Sequence, residues 1–165
     1  MSGENMDPIA VIGIGNSLLR DDGVGIHVLE QFTKNNKFED VDCIDAGTVG
    51  LALMDRLTSL DGLIAIDAMR LGKSPGDITV LEDEAMDAHL RKHHGSVHEL
   101  GLSDLIDGLR LSGELPRRRA LVGIEPSDID WGTEPTEDVA RSIPAAVECV
   151  NELLTRWQSS RETRQ

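Results

Sequence analysis

Cysteine is scarce in this chain: its 165 residues include two, Cys43 and Cys149. They are far apart and match no metal-binding or redox spacing, so the expectation is reduced thiols in a cytoplasmic protein. Basic side chains are also in deficit. Sixteen Lys and Arg against thirty Asp and Glu give a formal net charge of -14, which argues against nucleic acid and anionic membranes as partners and suits a basic partner surface better. No apolar run approaches transmembrane length. Residues 1–8 are polar and acidic, with neither a basic leader nor an apolar signal core, so the protein is expected to be soluble and unexported. Internal repeats and low-complexity segments are absent from the sequence. What is there is the length of one domain with 39% hydrophobic residues, enough for one sizeable core. A single domain over 1–165 is expected, with its core at about 9–157 and frayed polar ends.

The stretch that organises the chain is Val11-Ile12-Gly13-Ile14-Gly15-Asn16-Ser17-Leu18-Leu19-Arg20-Asp21-Asp22-Gly23-Val24-Gly25. An apolar strand runs into a glycine-broken turn, and two adjacent aspartates stand where a helix begins. Val24, Val28, Leu29 and Phe32 follow at roughly helical spacing, which places Asp21 and Asp22 at the carboxyl end of the strand. In an open α/β sheet that edge binds ligands. A dinucleotide fingerprint would need a third glycine where Leu18 stands, so phosphate binding is disfavoured. Acids at a helix start most often cap it and complement its dipole. One cap needs one carboxylate, which divides Asp21 between the cap and a place near the site and keeps Asp22 as a candidate functional group.

Residues 9–14 read as a strand covered on both faces, and 23–33 as the first helix. A second strand is expected at 41–45, followed by a short helix capped by Thr48 and running to about Leu57, with Val49 and Ala52 among its apolar positions. Leu63-Ile64-Ala65-Ile66 is the strongest strand signal, and Asp67 closes it. A charge there is costly unless something satisfies it. Lys73-Ser74-Pro75-Gly76 forms a type II turn into a strand at 77–81, and so short a connection suggests a strand antiparallel to its predecessor. Residues 82–87 start a helix carrying His89 and His93. Ser96-Val97-His98-Glu99 is a capping box whose helix buries Leu102, Leu105, Ile106 and Leu109. His98 shares that face, and the helix's positive end favours a neutral ring able to bind metal. A last strand spans 120–124, and residues 125–136 form a loop long enough to be functional. Thr136 caps a final helix striped with Val139, Ile143, Val147, Val150, Leu154 and Trp157, which Pro144 is expected to kink.

Asp22 and Asp67 thus reach one edge of the sheet, and His98 can reach it too. Two carboxylates and an imidazole with open positions suit a divalent transition metal such as nickel, zinc, manganese or iron at an exchangeable or catalytic site. For His98 taken alone, a satisfied helix-start histidine is the preferred reading. Gly13-Ile14-Gly15-Asn16, Asp21-Asp22-Gly23-Val24-Gly25, Asp45-Ala46-Gly47-Thr48, Ile66-Asp67-Ala68, Pro75-Gly76 and Ser96-Val97-His98-Glu99-Leu100-Gly101-Leu102 together resemble the nickel–iron hydrogenase maturation endopeptidases, in order from about Ile9 to Trp157. The resemblance implies a three-layer α/β/α fold of the phosphorylase/hydrolase-like kind, with a twisted, mostly parallel five-stranded sheet. It implies removal of a C-terminal extension from the nickel-loaded precursor of the hydrogenase large subunit. The family's catalytic and metal-binding acid, acid and histidine carry over onto Asp22, Asp67 and His98. Some members have Glu at the first position, one methylene longer than Asp22. Asn16, Asp21, Asp45 and Thr48 are assigned to substrate contact or support of the site. Nickel is expected to arrive with the substrate, with zinc, cadmium or manganese able to substitute in the isolated protein. The metal would polarise the scissile carbonyl or a bound water, or else serve as a handle while a carboxylate acts as base. Ser17 and the cysteines lack the partners of a nucleophile.

Two other functions compete. A receiver-like signalling domain also pairs acids after its first strand, but needs a lysine where the last parallel strand ends; this chain has Gly123-Ile124-Glu125-Pro126. A nickel-binding chaperone or metal-delivery protein could use the same three ligands without cutting. His89, His93 and His94 read as a solvated helix end rather than a surface metal site, Arg117 to Arg119 as a solvated strand start, and His27 as structural. Trp131 is divided between touching substrate and packing beneath its loop.

Overall fold

The computed structural model describes residues 8–48, 50–92 and 96–162; the expectations for the N-terminal residues, Val49, His93 and His94 lie outside them. Five strands, β1 (Ile9–Ile14), β2 (Val41–Gly47), β3 (Gly62–Ala68), β4 (Ile78–Glu82) and β5 (Arg118–Ile124), form one sheet in the order β2-β1-β3-β5-β4. The first four in that order are parallel, and β4 is antiparallel to β5. The expected antiparallel strand is therefore present, but the partner it pairs with is β5 and not its predecessor in the chain. Around the sheet lie α1 (Val24–Asn35), α2 (Asp83–Lys92), α3 (Val97–Leu111) and α4 (Glu137–Glu162).

The period-2 alternation of a strand divides the core. Ile9, Val11, Ile64 and Ile66 face one side, where Val28, Phe32, Val150 and Trp157 of α1 and α4 cover them. Ala10, Ile12, Leu63 and Ala65 face the other, under Met86, Leu90, Leu102, Leu105 and Leu109 of α2 and α3. All six residues of β1 are buried, as a strand covered on both faces requires. The result is the expected three-layer α/β/α sandwich. No described helix is long and apolar enough to cross a membrane.

Local expectations differ in four places. A 3-10 turn, Arg20–Gly23, precedes α1, and neither its start nor that of α1 has a side-chain cap, so Asp21 is not a cap. The short helix after β2 is a 3-10 turn over Leu51–Arg56 that begins at Gly50 without a side-chain cap. Thr48 instead lies exposed in a bend. His89, read as part of a solvated helix end, is buried on α2. Arg119, read as part of a solvated strand start, is buried: it places two nitrogens on Asp87 at 2.8 and 2.6 Å.

Candidate active site

Topology sets the location of the site. The chain leaves β1 for β2 on one side and returns to β3 on the other, so the carboxyl ends of β1 and β3 flank the point where strand order reverses. Crevices open at such points. Asp67 is the sixth residue of β3. Because Leu63 and Ala65 face α3, alternation turns Asp67 toward α3 as well.

Glycine at two positions makes the turn after β1 possible. Gly15 has φ +140, and a Cβ there would stand 2.1 Å from the backbone oxygen of Asp22. Gly25 has α1 so close to the sheet that a Cβ would stand 2.2 Å from Ile66 O and 2.4 Å from Ile14 O. Arg20 adopts φ 42, a left-handed conformation that costs a non-glycine residue of order 1 kcal/mol or more. This tight turn sends its two aspartates in different directions. Asp21 is fully buried and accepts from Ser127 N (2.9 Å), Asp128 N (3.0 Å), Thr136 N (2.7 Å) and the Thr136 hydroxyl (2.8 Å). Burial pushes its carboxyl up, but these donors outweigh burial and hold it below the usual range. Asp22 is half-buried and turned to the cleft, with Oδ2 accepting from Asn16 N at 3.1 Å.

Helix α3 brings the third group. Ser96 caps it, its hydroxyl accepting from Glu99 N at 3.1 Å. His98 in the first turn inserts its ring between the two acids, with Nε2 3.5 Å from Asp22 Oδ2 and Nδ1 3.5 Å from Asp67 Oδ1. The cleft over this trio is lined by Asp22, Ala68, Arg70, Ser96, His98 and Ile129, among others.

The electrostatics are those of an unfinished site. Burial raises the Asp67 carboxyl to about 6; contact with His98 opposes the rise and the Asp22 charge adds to it. Asp67 Oδ1 has no hydrogen-bond donor in good geometry, since the 3.5 Å approach of His98 is an ion-pair contact. A buried oxygen left this way costs free energy until a cation or proton arrives. The His98 ring is raised above its ordinary value, mainly by Asp67 against the opposing effect of burial, with help from Asp22. The direction is opposite to the one the helix start alone would give: the carboxylates beside the ring outweigh the roughly half charge of a helix N-terminus.

Two carboxylates and an imidazole are the right donor types for a divalent transition metal, and the undonated Asp67 oxygen favours a cation there. Among the described residues, however, no three such side chains already surround a common metal position. Both ring nitrogens of His98 face carboxylates, so holding an ion requires the ring to give one of them up.

The supporting residues separate clearly. Asn16 orients Asp22 through its backbone N–H, while its side-chain oxygen accepts from Leu18 N at 3.0 Å. Asp45 is exposed, and its Oδ1 accepts from Gly47 N at 2.9 Å, which shapes the end of β2. Neither Asp45 nor Thr48 is among the residues lining the cleft. His27 is half-buried on α1 and also outside the cleft lining. Trp131 is 78% exposed, so it does not pack beneath its loop. Sequence reasoning missed Glu125, which is buried and accepts from Leu71 N at 2.7 Å, holding the chain that leaves β3. A charge directly after a buried strand, the signal that marked Asp67, marks Glu125 as well.

The chain is similar to several known proteins. The hydrogenase expression/formation protein HupD of Rhizobium leguminosarum bv. viciae is 36% identical over 151 residues, which are 90% of this chain and 75% of that protein. The hydrogenase 2 maturation protease of Escherichia coli K12 is 35% identical over 144 residues, 86% of this chain and 87% of that protein. Among solved structures, the hydrogenase maturating endopeptidase HybD from E. coli superposes with a TM-score of 0.85 at 32% identity, covering 90% of this chain and 93% of that one. The sequence profile of the family described as HycI, hydrogenase maturation protease, matches residues 26–153. With its sequence and its fold in agreement, this chain belongs to the hydrogenase maturation protease family.

Proposed function

We propose that this protein removes the C-terminal extension from the nickel-loaded precursor of a [NiFe]-hydrogenase large subunit, and that Asp22, Asp67 and His98 dock on the metal the substrate brings. One observation carries the reading: a buried, donor-poor Asp67 is joined to Asp22 through His98 at the strand-order reversal of a maturation-protease fold. Coordination of a metal already held by the substrate would position the scissile peptide and make complete metal insertion a condition of cleavage. A metal bound there supplies a fixed positive charge that polarises a carbonyl or acidifies a water.

The chain's own groups then divide the work. Asp22, oriented by Asn16 N–H, is the more accessible ligand. Asp67, buried with an oxygen that no donor satisfies, is suited to accept a proton from attacking water through an oxygen that is not on the metal. His98 keeps the two acids apart while the site is empty and offers one nitrogen when it fills.

The deciding experiment is mass-spectrometric cleavage of nickel-loaded and nickel-free precursor by wild type and by Asp22→Ala, Asp67→Ala and His98→Ala. A single C-terminal cut that needs nickel and disappears in all three variants supports the proposal. Intact loaded precursor after incubation with folded wild type overturns it and leaves nickel carriage as the leading alternative.

A further inference from the structure

Residues 125–136 contain Glu125, Asp128, Asp130 and Glu134 and no Lys or Arg. The loop is fastened to the turn after β1 at several points. Asp21 accepts three of its N–H groups and one hydroxyl. Asp21 N donates to Asp128 O (3.1 Å), Arg20 N to Gly132 O (2.9 Å) and Gly132 N to Leu18 O (2.9 Å), and the Arg20 guanidinium pairs with Asp128 at 2.8 Å. A loop tied so often cannot fold back over its own apolar side chains. Yet it presents Ile129, 43% exposed, and Trp131, 78% exposed, beside Leu18, 52% exposed. Ile129 lines the cleft together with Asp22 and His98, so this apolar strip continues directly from the active site.

We propose that this pinned loop is a preorganised docking wall, on which Ile129, Trp131 and Leu18 take up apolar side chains of a basic segment of the protein substrate next to the bond to be cut. The proposal rests on the function proposed above, and it specifies the chemistry by which that substrate is held. The apolar part follows from the three side chains. A rigid tryptophan is the kind of anchor that dominates association, and a wall already ordered loses little entropy on binding. The basic part follows from Asp130 and Glu134, which stand exposed on the loop to either side of Trp131, in a chain of net charge -14.

The test uses nickel-loaded large-subunit precursor with wild type, Trp131→Phe, Trp131→Ala and Ile129→Ala. Both alanine variants should keep the wild-type circular dichroism and a kcat within about twofold, while Trp131→Ala raises KM about ten-fold, equivalent to about 1.4 kcal/mol, and Trp131→Phe recovers most of that loss. The chain's other tryptophan, Trp157, is buried at 4% exposure. The precursor should therefore shift the wild-type emission to the blue and protect it from iodide, with no such change in Trp131→Phe. Raising the salt to about 0.5 M should raise KM for the wild type. If wild type cleaves the precursor but Trp131 stays quenchable and both alanine variants keep the wild-type KM, the docking wall is overturned and the protease function stands. If wild type neither cleaves nor binds the precursor, the substrate assignment fails and the docking wall falls with it.

Discussion

Two carboxylates buried at opposite ends of the sheet have opposite fates. Asp87 on α2 meets Arg119 at the start of β5: Oδ1 accepts from Arg119 Nε at 2.8 Å, and Oδ2 from Arg119 Nη2 at 2.6 Å and Arg110 Nη2 at 3.0 Å. Burial pushes its carboxyl up, but the bonds and charge of Arg119 and the charge of Arg110 outweigh burial and hold it low. Asp67 at the end of β3 is as deeply buried, has an oxygen without a donor and is raised to about 6. Burial is common to both. Saturation separates the group that holds the fold together from the one left ready for a ligand.

The sharpest test of this contrast is Asp67→Asn. Cleavage of the loaded precursor should fall by about 10³-fold, as for loss of a catalytic acid–base group, while the urea midpoint at pH 7 stays level or rises because a buried, donor-poor charge is gone. Equal losses of stability and activity would erase the distinction. Arg119→Ala should do the reverse. It takes two of three donors from a buried carboxylate and leaves Arg110 alone to hold it, which should cost up to about 3–5 kcal/mol in urea unfolding, with cleavage per folded molecule unchanged.

The pH dependence of stability separates the two ends by sign. Asp87 and Asp21 have folded values below 3.8, so their contribution is complete above the unfolded value and is lost as pH falls through the folded one. Asp67 binds its proton more readily when folded, near 6 against 3.8, so its contribution grows as pH falls from 6 toward 4. His98, also raised when folded, acts in the same direction: its contribution is full below 6.5 and is lost as pH rises through the folded value. Urea midpoints should therefore rise from pH 7 to about 5 in the wild type, rise less in Asp67→Asn, and drop in both below about pH 4. Asp87→Asn should keep the rise and soften the drop.

The smallest expected effect is at the half-exposed Arg20–Asp128 pair. Arg20→Ala should cost under about 1 kcal/mol as an ion pair, because the loop remains tied through backbone bonds and Asp21. A larger loss in thermal unfolding would move the loop's anchorage from Asp21 to Arg20.

How far the sequence foretold this depends on how far away each residue's partners are. Asp67 was legible because a charge closing Leu63-Ile64-Ala65-Ile66 contradicts its surroundings, and His98 because Ser96 and Glu99 mark the helix start locally. The strands followed from uninterrupted apolar runs, and β1 occupies the expected residues. Asp21 was half-misread: its donors lie 106 to 115 residues downstream, while the nearby helix offered a cap that it does not make. Arg119 was misread for the same reason, since Asp87 is 32 residues upstream and three consecutive arginines look solvated when their partner is unseen. Thr48 shows the converse: a good capping residue next to a turn that begins at Gly50. The upward shift of the His98 ring depends on two carboxylates that only the folded chain brings to 3.5 Å.

Asp22, Asp67 and His98 come from three separate segments that meet only across the finished sheet. On the function proposed above, a ribosome making this chain releases no active fragment on the way. Until α3 has emerged and docked, the nascent chain carries the two acids without the imidazole that stands between them in the folded site. Assembly of the fold is then a step in arming the site, and the metal of the substrate completes it.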